Sequence, residues 1–154
     1  MKAIFDFFGE SALGVGIRGS RYAFPVIEMV HLLGLGMLLG SILLLNVRFF
    51  GFGLKREKVS EVAEDLAPWT RLALIVMAIS GVGLFASKAP DLWGDDRDGF
   101  YLKMTFIATA TVFHYTVQLP LARKENLPAG KIAAAMSLML WFGGALAGLS
   151  LEFL

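Results

Sequence analysis

Two histidines are the residues of this chain best suited to chemistry. His31 and His114 are its only imidazoles, and both lie inside long apolar runs. An ionisable side chain is costly inside a membrane, so its presence there is by default a sign of function. Imidazoles on facing helices of a bundle are a common way to hold haem iron. The two histidines therefore predict a bound haem b, with His31 and His114 as its axial metal ligands.

Counting along the two apolar runs predicts that these histidines lie at the same depth. His31 follows Arg21 by 10 residues, and His114 follows Lys103 by 11 residues. If both cations extend to the same membrane surface, each imidazole lies ~15 Å below that surface. A single iron could then be held between the two rings.

Three further residues are candidates for the same cofactor site. Lys103 lies three turns before His114 on the same helix face and could bind a haem propionate, or simply extend to the membrane surface. Glu28 lies one turn before His31 and could orient its ring, carry a proton or pair with an arginine at the membrane surface. Gly34, one turn after His31, could leave room for the flat porphyrin, or serve ordinary helix packing.

Two other interpretations of the histidines stay open. In the first, both imidazoles form hydrogen bonds across helices, with Thr111, Ser41 or Gln118 as partners. In the second, His31 and a nearby methionine bind copper. Zinc is disfavoured, because it needs three or four ligands and Glu28 is the one further ligand type near these histidines.

The elements that must position these residues are long apolar helices. Four runs are long enough to cross a hydrocarbon core of about 30 Å. Lipid cannot satisfy free backbone groups, and short connections leave no room for a soluble domain, so we expect an all-α integral membrane four-helix bundle formed by residues 1–154 as one domain. The predicted spans are Phe24 to Val47, Trp69 to Ser87, Phe100 to Ala122 and Ile132 to Leu151.

The segment before the first span is predicted to be a short interfacial helix. Asp6 and Glu10 interrupt its apolar residues, which argues against a cleaved signal peptide. Its phenylalanines among polar neighbours suit a helix that lies in the membrane interface. Ser11 and Ser20 are its candidate capping residues.

Composition agrees with a membrane protein and excludes several classes of function. Hydrophobic residues make up 56% of the chain, charged residues make up 18%, and the formal net charge is +1. No basic surface for nucleic acid is expected from this balance. The chain has no cysteine, so disulfides, iron–sulfur clusters and thiolate-bound zinc are excluded.

The distribution of charge predicts the orientation in a bacterial inner membrane. Residues 48–58 contain four lysines or arginines and residues 123–131 contain three, whereas residues 88–98 contain four aspartates. Because basic loops stay on the cytoplasmic side, both termini are predicted to lie outside.

The sequence also resembles known membrane families. The segments YAFPVIEMVHLLGLGMLLGSILLLNVRFFG, LAPWTRLALIVMAISGVGLF and FYLKMTFIATATVFH, between Ser20 and Tyr115, resemble a bacterial four-span inner-membrane family of unknown function. They are more distantly similar to the HemJ-type protoporphyrinogen oxidases. A copper-resistance D-type membrane domain shares a similar first span.

The similarity to the HemJ type rests on a histidine, a glycine and an arginine in and after the first span, and on a lysine that precedes a histidine by eleven residues. These positions are His31, Gly40, Arg48, Lys103 and His114. The resemblance implies a haem b protein of the cytoplasmic membrane, and for the HemJ branch an oxidation of protoporphyrinogen.

We therefore expect a membrane haem protein with a role in electron transfer or a haem-dependent oxidation. Two imidazoles on one iron leave no position for oxygen, which favours electron transfer. A HemJ-like oxidase and a non-enzymatic scaffold or small transporter are the alternatives. The predicted partners are membrane lipid and either quinone or a redox protein, and a homo-oligomer stays open.

Overall fold

The computed structural model describes the backbone of residues 2–54, 56–92 and 97–153, and side chains within these ranges as far as residue 148. Every regular element in these ranges is helical, which confirms the all-α prediction. The helices are α1 (Lys2–Gly9), α2 (Ala12–Gly19), α3 (Ala23–Phe50), α4 (Val59–Leu92), α5 (Arg97–Phe113), a π-helical segment π1 (His114–Gln118), α6 (Leu119–Arg123) and α7 (Leu127–Phe153).

Three helices are long and apolar enough to cross a membrane, and they indicate a membrane protein. They are Ala23–Phe50, Val59–Leu92 and Leu127–Gly148. The third predicted span, 100–122, corresponds to α5, π1 and α6, which follow one another without a break from Arg97 to Arg123. The change of helix type within this rod makes α5 alone, at 17 residues, shorter than the other three.

The helix that contains the second predicted span, 69–87, extends beyond it at both ends. α4 has 34 residues and contains Pro68 and Pro90 in its interior. It begins at Val59 because the first two turns bury Val59 and Val62 against the bundle and leave their acidic residues exposed. A window of pure hydropathy misses such an amphipathic start, although it follows the helical period.

Two helix pairs form the bundle. α3 packs along α4 and α5 packs along α7, while α3 also contacts α7. In the described ranges, α4 and α5 do not pack against each other along their length. Three clusters of side chains fill the interior: Leu45, Phe49, Val59, Val62, Ala63, Leu119, Ala122 and Ala134 at one end, Leu38, Ile42, Ala73, Ala110 and Trp141 in the middle, and Phe5, Ala89 and Leu92 at the other end.

We call the two ends of the bundle the basic end, with residues 51–54, 56–58 and 124–126, and the N-terminal end, with α1 and α2. At the basic end, Gly51 ends α3 in the left-handed conformation with φ of 77°. Glu125, in the turn before α7, accepts hydrogen bonds from the backbone N–H and the hydroxyl of Ser60 at 2.9 and 2.5 Å. This carboxylate therefore caps the start of α4 and holds the two turns together.

The N-terminal segment forms two helices rather than the single interfacial helix expected. Ser11 breaks the run and caps α2, because its Oγ accepts the N–H of Gly14 at 3.1 Å. Ser20 accepts the N–H of Ala23 at 3.2 Å, where α3 begins. Ser11 thus caps a short helix at its start, and Ser20 lies at the end of α2 as the residue that caps it there. The two short helices pack on α4, with Phe5 buried between α4 and α5.

A proline in α4 explains where these helices dock. Pro90 has no N–H to donate to the carbonyl of Ala86, four residues earlier. Arg18 of α2 donates to that carbonyl at 3.1 Å and to the carbonyl of Ser87 at 3.2 Å. The same guanidinium donates to the carbonyl of Gly9 at 2.5 Å, so it joins α1, α2 and α4.

Candidate functional site

The first histidine, His31, joins α3 to α4. Its Nδ1 lies 2.8 Å from Oγ of Ser80, and that hydroxyl lies 2.6 Å from the carbonyl of Val76. A hydroxyl has one hydrogen, and the backbone carbonyl accepts it, so the imidazole must donate its Nδ1–H to Ser80. The proton on Nδ1 leaves the lone pair on Nε2.

The surroundings of His31 are small and only half-buried. A Cβ added to Gly81 of α4 would lie 3.4 Å from Cε1 of the ring, so this glycine sets the distance between the ring and α4. His31 precedes Leu38 and Ile42 by two and three turns, so it lies on the helix face that points into the bundle.

The second histidine, His114, lies in a buried polar cluster. The side chain is 2% exposed, and its Nδ1 lies 2.8 Å from Oε1 of Gln118. Gln118 donates its amide N–H to Oδ1 of Asn46 on α3 and accepts the hydroxyl of Ser137 on α7 at 3.2 Å. Since the amide oxygen only accepts, His114 also carries its proton on Nδ1.

The π-helical segment is what turns this cluster inward. The N–H of Leu119 bonds the carbonyl of His114, five residues earlier. Pro120 supplies a reason, because it cannot donate to the carbonyl of Thr116 and so weakens the α-helical pattern at this point. The wider turn places both His114 and Gln118 among the buried residues. π-Helical turns of this kind are frequent at functional sites.

Two buried donors beside this cluster have no partner in the described structure: Nδ2 of Asn46 and Nε1 of Trp141. Asn46 is fully buried and Trp141 is 4% exposed. Trp141 lies one turn along α7 from Ser137, as His114 lies one turn along the rod from Gln118. The cluster therefore has more donors than its own acceptors satisfy.

The two histidines are not at the same depth, and that prediction is wrong. Asn46 and Gln118 are in contact, which fixes the register of α3 against the α5–α6 rod. His31 lies 15 residues, or ~22 Å, before Asn46, whereas His114 lies one turn, or ~6 Å, before Gln118. The imidazoles are thus separated by ~16 Å along the bundle axis.

The cluster of Leu38, Ile42, Ala73, Ala110 and Trp141 fills the space between them. One iron held by both rings is not compatible with this arrangement. The counting failed because Arg21 and Lys103 do not start from one surface: Arg21 precedes α3, whereas Lys103 lies inside the second turn of α5.

The alignment of α3 with the α5–α6 rod places Lys103 at the depth of His31. It precedes Gln118 by the same 15 residues that separate His31 from Asn46, and the two helices run in the same direction. It also precedes Ala110 and His114 by two and three turns, so it lies on the inward face of α5. A Cβ added to Gly148 of α7 would lie 3.1 Å from Cε of Lys103.

Glu28 and Gly34 have different surroundings from those predicted. Glu28 is half-buried one turn before His31, and the described residues include no ion pair between it and Arg21. Gly34 is buried where α3 crosses α4, and a Cβ there would lie 3.1 Å from Met77 and from Val76. This glycine allows close helix packing, so α4 fills the space beside Gly34 that was expected to hold a porphyrin.

Ser80 is the partner that sequence reasoning missed. Of the three partners predicted for the histidines, Gln118 alone bonds one of them, and it lies on the same rod. The hydroxyls of Ser41 and Thr111 bond carbonyls of their own helices, at Met37 and Ile107. Among the described residues, no three histidine, aspartate or glutamate side chains are grouped as metal ligands.

The comparisons with known proteins identify a family but no relative of known function. No curated protein and no solved structure matches the chain. The similarities to HemJ-type oxidases and to copper-resistance domains therefore stay predictions, whereas the expected family of unknown function is found. A family model described as "Family of unknown function (DUF6644)" matches residues 5–154, and the chain belongs to that family.

Proposed function

We propose that the protein is a membrane haem b protein with a role in electron transfer or a haem-dependent oxidation, in which His31 and not His114 would bind the iron. The observation that carries the proposal is the hydrogen bond from Nδ1 of His31 to Ser80. Histidines that bind metals usually donate their other ring N–H to a neighbouring group, which fixes both the tautomer and the ring orientation. In this tautomer, the lone pair that can bind a metal is on Nε2 of His31.

The residues around His31 fit a haem better than the pair of histidines does. Lys103 lies at the depth of His31 on an inward face and offers the positive charge that a propionate requires. Gly81 of α4 lies beside His31 and Gly148 of α7 lies beside Lys103, so neither helix presents a side chain at these two positions. His114 does not fit the same group, because ~16 Å separates it from His31.

In this proposal the haem supplies the change of oxidation state, and the side chains control its surroundings. Ser80 would hold the His31 ring in one orientation, and Lys103 would compensate the negative charge of a haem propionate. Glu28, one turn nearer the N-terminal end, is placed to take up or release a proton as the local charge changes. Quinone or a redox protein is the partner class that such a site would serve.

A second candidate, a scaffold without a cofactor, is favoured by one observation. Both imidazoles have hydrogen-bond partners inside the protein, and His114 is enclosed by them. Polar side chains that hydrogen-bond inside a bundle are an ordinary means of stabilising helix contacts in lipid.

Absorption spectra of the purified protein, oxidised and reduced, separate the two candidates. We expect a Soret band in the wild-type protein, its loss in His31→Ala, and its retention in His114→Ala, which serves as the matched control. Lys103→Ala should keep haem with weaker affinity. A protein without a Soret band after haem is supplied would support the scaffold. Loss of haem from both histidine variants, each still folded, would contradict the assignment to His31 alone.

A further inference from the structure

A groove of about 280 Å³ runs along the surface between α4 and the rod of π1 and α6, near the basic end. It lies beside the contact between α4 and α6, and Tyr115 of π1 belongs to its lining. Ala63 and Ala67 on α4 and Leu119 on α6 give it apolar walls. Its remaining lining consists of four polar side chains, so it differs from an ordinary lipid-facing surface.

The polar residues occupy both ends of this groove. Arg71 follows Ala63 by eight residues and Tyr115 precedes Arg123 by eight, so each wall extends ~12 Å. Because Val62 and Ala63 pack with Leu119 and Ala122, the walls are antiparallel. Arg71 and Tyr115 therefore lie at the deeper end, and Glu64 and Arg123 lie towards the basic end.

No described side chain forms an ion pair with either arginine of the groove. In the described ranges, neither Arg71 nor Arg123 has an ion pair or a side-chain hydrogen bond, and Glu64 is the one acidic residue in the lining. A guanidinium below the membrane surface is costly unless an anion or water accompanies it. The groove thus has an excess positive charge beside apolar walls.

We propose that this groove binds the phosphodiester of an anionic phospholipid. Guanidinium groups bind phosphate oxygens through paired, charge-assisted hydrogen bonds, and basic pockets between membrane helices are known to take such head groups. The apolar walls would contact the first carbons of the acyl chains. Glu64 lies at the end of the groove nearer the basic end, and its carboxylate would repel an anion there.

The test uses the full-length protein purified in a neutral detergent and its thermal unfolding with added lipid, since a ligand of the folded state raises Tm. Short-chain phosphatidylglycerol should raise Tm, whereas phosphatidylcholine with the same chains and inorganic phosphate should not. Equal effects of both lipids would overturn the proposal. An equal effect of inorganic phosphate would identify a site for small anions instead and would also overturn it.

Charge variants assign the effect to the groove. Arg71→Gln combined with Arg123→Gln should weaken the apparent affinity for phosphatidylglycerol by at least about tenfold, because both phosphate contacts are lost. Arg56→Gln combined with Lys131→Gln removes the same charge from exposed positions elsewhere and should retain binding. Equal weakening in both pairs would show unspecific attraction and contradict a built site.

A third variant keeps the proposal testable if the double arginine variant does not fold. Glu64→Gln removes the repelling carboxylate and should tighten phosphatidylglycerol binding about threefold or more, since like charges oppose each other at short range. Unchanged or weaker binding by this variant would place the lipid outside the groove.

Discussion

At the residue scale, Gln118 is the side chain on which the buried polar cluster depends. Its oxygen accepts from His114 and Ser137, and its nitrogen donates to Asn46, so it connects the rod to both α3 and α7. Such bonds contribute only modestly in a membrane, but a buried donor left without a partner is costly.

Replacing Gln118 by leucine should destabilise the protein. The change removes the acceptor of His114 and the partner of Asn46, and we expect a loss of about 1–2 kcal/mol in the free energy of unfolding. Unfolding in detergent micelles, followed by circular dichroism, measures it. Thr116→Val is the control, because Thr116 is exposed and its hydroxyl bonds a carbonyl of its own helix. Equal stability of the two variants would contradict the role assigned to Gln118.

Some of these residue contacts can be predicted from the sequence, and others cannot. His114 and Gln118 are four residues apart, so a helical pattern makes them neighbours on one face, although Gln118 was expected as a partner across helices. The contact between His31 and Ser80, and that between Gln118 and Asn46, depend on how two helices are shifted along each other. Apolar periodicity identifies the inward faces but leaves this register undetermined, so the depths of the histidines could not be derived.

At the element scale, α4 is a long helix with a proline near each end, and its second proline creates the site where α1 and α2 dock. Hydropathy predicted the helices that lie deep in lipid, since those are continuous apolar runs. It did not predict the π-helical turn or the docking of α1 and α2 on α4. Both depend on backbone groups that Pro120 and Pro90 leave without their usual partners.

The contact of Arg18 with α4 is expected to depend on Pro90. Arg18→Gln should weaken the docking of α1 and α2 by about 1–2 kcal/mol, because the carbonyl of Ala86 loses a charged donor. In a Pro90→Ala background the helix can satisfy that carbonyl itself, so the same change should cost less. Hydrogen exchange in α1 and α2 measures both costs in a double-mutant cycle. Strictly additive effects would show that the proline is not the cause.

The link between Glu125 and Ser60 is expected to respond to acid. The hydrogen bonds from Ser60 lower the pKa of the Glu125 carboxyl below its ordinary value. The contribution of this link is therefore complete above the ordinary glutamate range and is lost as the pH falls through the lowered pKa. The Ser60 amide resonance in micelles should titrate in that acidic range and become flat in Glu125→Gln. A Glu57→Gln control should still titrate, and a flat wild-type curve would contradict the link.

At the scale of the whole molecule, the bundle has two chemically different ends. The N-terminal end is closed by aromatic rings, with Phe85 stacked on Phe100 at 5.1 Å and Phe5 at their edges. The basic end joins its turns through polar contacts and carries the groove with Arg71 and Arg123. The positive-inside pattern of the sequence predicts that the basic end is cytoplasmic. A site at His31 would then lie in the half of the bundle nearer the N-terminal end.

The orientation itself can be measured because the chain has no cysteine of its own. Single cysteines at Gly19 and at Lys124, both exposed and at opposite ends, report on the two sides. With the basic end cytoplasmic, a membrane-impermeant maleimide should label Gly19→Cys in intact spheroplasts and Lys124→Cys only after lysis. The reverse labelling would invert the topology and would place His31 nearer the cytoplasmic surface. Labelling of both positions before lysis would show a leaky preparation, which a cytosolic marker enzyme detects, so that control is measured in the same samples.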